Sequence, residues 1–353
     1  MRIPSMAYDS SILNARVARH RHRHGRKPTI GKVMTTELTT GMDDAGRRLD
    51  RILRKALPDH SLSLIHRLLR QGKIKLDGKS AKPETRVWAD AVIQIPTQKE
   101  PQNSPYTSQK NDSSLPRLPE ILARGSGIIV FDKPVGLASH GPESLDTIVK
   151  AHYAAKPPSS LSFRPGPLHR LDRPTSGAIA FSENLAGARL FTELLLNRRV
   201  AKTYLAIVEG RMQDGELSWQ DGLVRDKTAK KTFVGGEEFP SEKVARTSVR
   251  MLACNDSFTL MEASIVTGRT HQIRAQAAAH GHPLAGDVKY GGSKIQDGGF
   301  FLHAWKIGFD LDIVGLPRLI IAPLPKPFMT RVTALFGGTL DDTLRQRLQS
   351  ILS

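Results

Sequence analysis

Residues 98–120 hold Pro101, Pro105, Pro116 and Pro119 among Ser, Gln and Asn, with too few apolar side chains to close a core. A stretch of that composition stays a linker. It splits the chain into a short N-terminal part and a long C-terminal part, and each must build a hydrophobic core of its own. A length of 353 residues also leads to an expectation of two folded units. The organisation expected from sequence is a basic, disordered tail at 1–35, a small domain at 36–97, the linker at 98–120 and a large domain at 121–353.

Charge narrows the partners. Lys and Arg total 52 against 34 Asp and Glu, a net charge of +18, which suits a polyanion. The surplus is concentrated toward the front. Residues 1–33 carry eight basic side chains against Asp9 alone, and residues 45–96 carry twelve against five acidic ones. The alternating run from His20 to His24 lacks the carboxylate or cysteine that would complete a metal site, so it reads as a solvated basic tail. No apolar run reaches the ~20 residues of a spanning helix, which excludes an integral helical membrane protein. The first residues lack an apolar signal core. Cys254 is the single cysteine, which excludes an intramolecular disulfide framework and a cysteine-rich metal site. These features predict a cytoplasmic, monomeric protein that binds nucleic acid.

Periodicity sketches both domains. Leu49, Ile52, Leu53 and Leu57 follow helical spacing, as do Leu64, Ile65, Leu68 and Leu69 before Gly72. Ile74 and Leu76 alternate into the turn Asp77-Gly78, and Val92, Ile93 and Ile95 mark a later strand. Arg47, Arg48, Arg51, Arg54, Arg67, Arg70 and Lys73 crowd the two short helices. A one-signed surplus of that density is a nucleic-acid surface rather than an ordinary solvated helix face, and Arg48, Arg51, Arg67 and Lys73 are its candidate phosphate contacts. The large domain mixes strand-like runs (127–131, 204–208, 319–322) with a helical one at 184–198. Leu340, Leu344, Leu348 and Leu352 predict an amphipathic closing helix.

The chain has no phosphate-binding Gly-Lys-Ser/Thr loop, and Gly125-Ser126-Gly127 precedes a strand rather than a helix, so no nucleotide cofactor is expected. No serine occupies a nucleophile elbow. One stretch does carry chemistry: His169-Arg170-Leu171-Asp172-Arg173-Pro174-Thr175-Ser176-Gly177 places a carboxylate between two arginines in a turn. Flanking cations favour the ionised form that a nucleophile or base requires. A surface aspartate paired with its neighbours would show the same local pattern.

Those nine residues resemble the signature of the large-subunit (RluA-type) pseudouridine synthases, and further segments agree in order. They are Lys133-Pro134-Val135-Gly136-Leu137, Lys202-Thr203-Tyr204, the run from Thr267 to Arg274 with His282-Pro283-Leu284 and Tyr290-Gly291, Leu302-His303-Ala304, and Ala322-Pro323-Leu324-Pro325. The small domain resembles the αL-motif RNA-binding domain named after a ribosomal small-subunit protein, through Arg48-Leu49-Asp50 and the segment from Gly72 to Gly78. The departures are small. Asp132 stands where many members have Asn, and the His-Pro that often follows the Leu-His-Ala strand is absent.

The resemblance implies an α+β fold: a mixed, mainly antiparallel sheet with flanking helices, preceded by the small α/β RNA-binding domain. It implies isomerisation of uridine to pseudouridine within RNA, with no cofactor or metal. Asp172 would attack the anomeric carbon, as a retaining glycosidase nucleophile does, or abstract the 2′ proton. Arg274 would pair with Asp172, Tyr204 would stack on the uracil and help remove the proton from carbon 5, and Leu302 would wall the pocket. Arg170 would fill the space left by the flipped base. His169 would orient the turn, and His271 would be a packing or helix-surface residue. Large-subunit ribosomal RNA, free or in a precursor particle, is the leading target. Transfer RNA, or a non-catalytic role in ribosome assembly, stays open at this level. Contacts to six to ten phosphates would make affinity fall by about 10³- to 10⁵-fold between 50 and 200 mM salt, which filter binding to transcribed RNA measures directly.

Overall fold

The computed structural model describes residues 35–96, 116–154, 160–226, 228–235, 244–295 and 299–337. The basic tail before residue 35, most of the linker and the closing leucine repeat lie outside the described residues. In the small domain, Leu49, Ile52 and Leu53 on α1 (Leu49–Ala56) and Ile65, Leu68 and Leu69 on α2 (Leu62–Arg70) are the buried face that the spacing predicts. Ser61 caps α2 by accepting the Leu64 N–H at 3.2 Å. Asp77 and Gly78 both adopt positive φ, as the two-residue hairpin between β2 (Lys75–Leu76) and β3 (Lys79–Ser80) requires. The antiparallel sheet is completed by β4 (Val92–Pro96) and β1 (Thr35–Thr39), in the order β1-β4-β2-β3. β1 escaped the sequence reading because this edge strand is polar and mostly exposed, without an apolar alternation to reveal it.

The small domain touches the large one through Asp44, in a turn between β1 and α1. Its buried carboxylate accepts hydrogen bonds from Ser160 Oγ (2.7 Å), Leu161 N (2.8 Å), Ser162 N (3.1 Å) and the Ser162 hydroxyl. Burial opposes its ionisation, but these bonds and that from the Gly41 amide outweigh it and lower its pKa.

Eleven strands form the sheet of the large domain: β5 (Ile121–Gly125), β6 (Ile128–Lys133), β7 (Gly166–Pro167), β8 (Ser176–Ser182), β9 (Val200–Glu209), β10 (Glu216–Asp226), β11 (Lys231–Val234), β12 (Val244–Cys254), β13 (Phe258–Ile265), β14 (Leu302–Phe309) and β15 (Leu319–Ile321). The main path runs β11-β10-β12-β13-β9-β14-β8-β6-β5, with β15 against β14 and β7 against β8. Every pairing is antiparallel except β14 with β8. The helices are α3 (Leu145–Ala154), α4 (Leu185–Leu196), α5 (Gln272–Ala279) and α6 (Lys326–Phe336). No helix among the described residues is long and apolar enough to cross a membrane.

Strand β9 runs through the middle of the sheet and is buried on both faces, as its continuous apolar stretch demands. Tyr204, Ala206 and Val208 face a cluster with Leu145 and Val149 of α3 and Ile273 and Ala277 of α5. Leu205 and Ile207 face Phe328, Val332 and Phe336 of α6. Tyr204 and Leu302, which wall the site described below, lie on the first of these faces.

The short parallel contact of β8 with β14 sets the site's dimensions. His303 lies opposite Ser176, and Ala304 opposite Gly177. Gly177 has φ +105°, and a Cβ there would meet the Ala304 carbonyl oxygen at 2.2 Å, so only glycine permits this approach. The Ser176 hydroxyl and His303 Nδ1 are 2.9 Å apart, and His303 Nε2 lies 3.3 Å from the Ala322 carbonyl. Burial pushes the His303 pKa down to about 4, so the ring is neutral: Nε2–H donates to Ala322 and Nδ1 accepts from Ser176. Between about pH 6.5 and 4 the unfolded chain takes up a proton at His303 that the folded chain refuses. Stability therefore falls on acidification through that window, by about 3 kcal/mol from this residue. Urea unfolding at stepped pH should show the loss, and His303→Gln should shrink it by about that amount, leaving the part that the buried His169 contributes.

Candidate active site

Asp172 sits in the loop between β7 and β8, and the loop is pinned at each end. At His169, Nε2 accepts the Ala180 N–H at 3.0 Å and the ring stacks on Phe191, while burial pushes its pKa down to about 3. The Leu171 backbone makes two bonds to the Ser139 hydroxyl, at 2.7 and 3.0 Å. The Thr175 N–H donates to the Asp172 carbonyl at 3.0 Å and closes the turn. Arg173 does not serve Asp172. Its Nε donates to the Gly136 carbonyl at 2.7 Å, and the Gly136 N–H returns a bond to the Arg173 carbonyl at 2.9 Å. Lys133 fastens the same junction, its ammonium donating to the carbonyls of Pro134 (3.0 Å), Leu137 (2.7 Å) and Arg173 (3.3 Å). Burial pushes the Lys133 pKa down to about 8, against the charges of Asp172 and Asp132.

The cation that faces Asp172 comes from 102 residues away: Arg274 Nη1 donates to Asp172 Oδ2 at 2.9 Å. The rest of the guanidinium is held from behind, with Nε on Asp287 Oδ2 at 2.6 Å and Nη2 on Asp287 Oδ1 at 2.8 Å. Its flat face lies 4.8 Å from the Tyr290 ring centroid and 4.3 Å from that of Phe300. Burial opposes the charge of Arg274, but the bonds and charge of Asp287, then Asp172, raise its pKa. The side chain of Asp287 is 1% exposed, that of Arg274 7% and that of Asp172 15%, so the triad grades from a sealed anion to a reachable one. His271 precedes α5 in left-handed geometry (φ 54°), with Nε2 at 3.8 Å from Asp172 Oδ2 and Nδ1 at 2.8 Å from the Tyr290 hydroxyl.

Asp172 lies where two hollows meet. The inner one is walled by Tyr204 of β9, Ile265 of β13, Leu302 of β14 and Thr175, with Arg170 and Arg274 at its sides. The outer one adds His140, Arg173 and Lys289. A largely apolar hollow thus opens onto a mouth whose cations suit a phosphate chain.

A profile of the family described as RNA pseudouridylate synthase matches residues 127–279, and one of the S4 domain matches residues 47–93. The chain is 32% identical over 307 residues to the ribosomal large subunit pseudouridine synthase C of Pasteurella multocida (strain Pm70), covering 81% of this chain and 90% of that protein. The protein of the same name from Escherichia coli (strain K12) is 31% identical over 296 residues, covering 80% and 91%. The chain belongs to the RNA pseudouridylate synthase family. Among solved structures, human RNA pseudouridylate synthase domain containing 1 superposes with a TM-score of 0.50 at 25% identity, covering 66% of this chain and 94% of that one. The protein is thus an RNA pseudouridine synthase with an N-terminal S4 RNA-binding domain, and the α+β fold expected from sequence is the fold found.

In this synthase the structure brings Asp172, Arg170, Tyr204, Arg274 and Leu302 to one hollow. The S4 residues Arg51, Arg67 and Lys73 are exposed and outside it, while Arg48 is engaged by Asp50 through Nε (3.1 Å) and Nη2 (2.7 Å). Burial, then the charge of Asp172, raises the pKa of the Tyr204 phenol above its ordinary value. His271, expected to be a packing or helix-surface residue, instead lines both hollows. Asp287 was not singled out at all, because a carboxylate 13 residues after its arginine has no periodic signature. The one available signal was its position just before Tyr290-Gly291.

Removing one partner of a buried pair strands the other charge. Asp287→Ala should lower the urea-unfolding free energy by about 3–5 kcal/mol, whereas Asp172→Ala, which leaves Arg274 its two bonds to Asp287, should cost less than half as much in the same assay.

Proposed function

We propose that this enzyme isomerises uridine to pseudouridine in large-subunit ribosomal RNA, with Asp172 as the reacting carboxylate. One observation carries the reading: a carboxylate held by a buried arginine stands at the junction of a largely apolar hollow and a cationic mouth. The relatives named above support the target. The boundaries read from sequence make residues 36–97 the RNA-binding unit and 121–353 the catalytic one, acting as a monomer in the cytoplasm.

The reaction rearranges bonds within one nucleotide and is redox-neutral, so it needs no electron carrier. Asp172 Oδ2 is taken by Arg274. Oδ1 accepts no hydrogen bond among the described residues and is the oxygen left for the sugar. It either attacks C1′ as the C1′–N1 bond breaks, or takes the 2′ proton as that bond breaks. In both cases the uracil departs with the bonding electrons, turns within the slot and bonds to C1′ through C5, as the Asp172–C1′ bond breaks on the first route or the 2′ proton returns from Asp172 to C2′ on the second. The C5 proton is then lost and N1 gains one. Tyr204, held as the neutral phenol, offers the base a ring to pack against, and Leu302, beside it on the neighbouring strand, adds apolar wall. Arg170, exposed at the rim, replaces the flipped base in the RNA stack.

Tritium release from RNA labelled at C5 of uridine tests this. Wild type should release tritium from large-subunit ribosomal transcripts and not from transfer RNA. Asp172→Asn should reduce turnover by at least about 10⁴-fold, some 5 kcal/mol of barrier, with RNA binding near normal. Release from transfer RNA alone would reassign the target, and a fully active Asp172→Asn would sink the assignment of Asp172.

A further inference from the structure

Two N–H groups face the Asp172 carboxylate, and a single residue stands behind both. Tyr290 closes a short turn (Val288–Tyr290) that begins directly after Asp287, the anchor of Arg274. Its ring lies under the Arg274 guanidinium at 4.8 Å. Its hydroxyl meets His271 Nδ1 at 2.8 Å and accepts the Thr232 N–H of β11 at 2.9 Å.

Proton bookkeeping at that hydroxyl determines the state of His271. The phenol oxygen already accepts from Thr232, and burial keeps the phenol protonated. Its one proton goes to the neighbour within reach, His271 Nδ1. The neutral ring then carries its own proton on Nε2, the nitrogen 3.8 Å from Asp172 Oδ2. Burial favours that neutral ring by pushing the imidazole pKa down, against the pull of Asp172. With Nδ1 protonated instead, the Tyr290 proton would have to turn to the Thr232 side chain, and a lone pair of His271 would face the carboxylate.

We propose that Tyr290 is a positioning residue for the reaction: it locks His271 in the tautomer that presents Nε2–H to Asp172, and it aligns Arg274 on the same carboxylate oxygen. This rests on Asp172 being the reacting group. The pair of donors stabilises negative charge on Oδ2 whenever Asp172 is released, as its bond to C1′ breaks or the 2′ proton returns. Because Thr232 is the other partner of the hydroxyl, the hairpin of β10 and β11 helps hold this geometry. The next residue along β11, Phe233, is 44% exposed with the Lys231 ammonium 5.2 Å from its ring. RNA gripped by that outer face would steady the inner one.

Full-length Tyr290→Phe keeps the ring and removes only the hydroxyl. On a large-subunit transcript, its kcat for tritium release should fall by about 10- to 100-fold, the range typical when a group that orients a reacting residue is lost. RNA affinity should hold, and the melting temperature should fall by only a few degrees as the buried Thr232 N–H loses its acceptor. ¹⁵N shifts of the His271 ring, assigned with His271→Gln, should show a protonated Nε2 in wild type and a tautomer mixture in Tyr290→Phe. In a His271→Gln background, whose amide needs no tautomer partner, Tyr290→Phe should cause little further loss. An unchanged kcat, an unchanged tautomer, or a loss that tracks melting temperature and affinity would each overturn the proposal. Should Tyr290→Phe not fold, His271→Gln, with N–H near Nε2, must outperform His271→Asn, with N–H near Nδ1; equal rates overturn it. Asp172→Asn run alongside separates the two readings. If that variant stays active, Asp172 was wrongly assigned; if only Tyr290→Phe stays active, the role of Tyr290 alone falls.

Discussion

A guanidinium buried to 7% exposure cannot persist without anions, and around Arg274 this requirement organises the site. Two bonds to the sealed Asp287 neutralise the charge and fix the plane of the fork. Only Nη1 is left to point outward, and it meets Asp172. The Asp172 carboxylate is therefore aimed by a cation that cannot swing away, against which the rings of Tyr290 and Phe300 pack. Had Arg170 or Arg173 been the partner, a flexible surface arginine would have had to do the same task while facing RNA.

The sheet supplies the distances. Asp172 rides on a loop feeding β8, and Tyr204 and Leu302 stand on β9 and β14, so all three depend on how β8 meets β14. That contact is the one parallel pairing among the described strands, and it is short. Gly177 lets the backbones close together, while Ser176 and a neutral His303 tie the strands through side chains. Lys133 performs the equivalent task on the other side of the loop, with its ammonium spent on three carbonyls. Cationic groups near Asp172 thus divide by burial: Lys133 and Arg274 hold protein in place, while Arg170 stays exposed at the rim.

The S4 domain adds breadth to the basic surface and is held to the catalytic unit at Asp44. Four donors from residues 160–162 surround that carboxylate, which keeps it ionised inside the protein. An exposed arginine surface therefore sits on a fixed base rather than on a linker alone, which suits an enzyme that must present one uridine of a structured RNA to one slot.

Much of this was legible in the linear chain. The helices α1 and α2, the Asp77-Gly78 hairpin, the core strands β6 and β9 and the closing strand β15 follow from local periodicity and turn chemistry, which neighbours in sequence determine. Ordered motifs marked Asp172, Tyr204, Arg274 and Leu302, and the charge surplus marked an RNA partner. What sequence could not show was who faces whom. Local pattern set Asp172 between two arginines, and only the family resemblance pointed to Arg274; in the fold Arg173 turns away to Gly136 and the cation on Asp172 arrives from α5. Sequence left His271 as packing and passed over Asp287, because their importance comes from being within hydrogen-bond reach of Tyr290 and Arg274. Local pattern determines which elements form. The partners of a buried charge are chosen only when the folded sheet excludes water and leaves that charge one set of anions to meet.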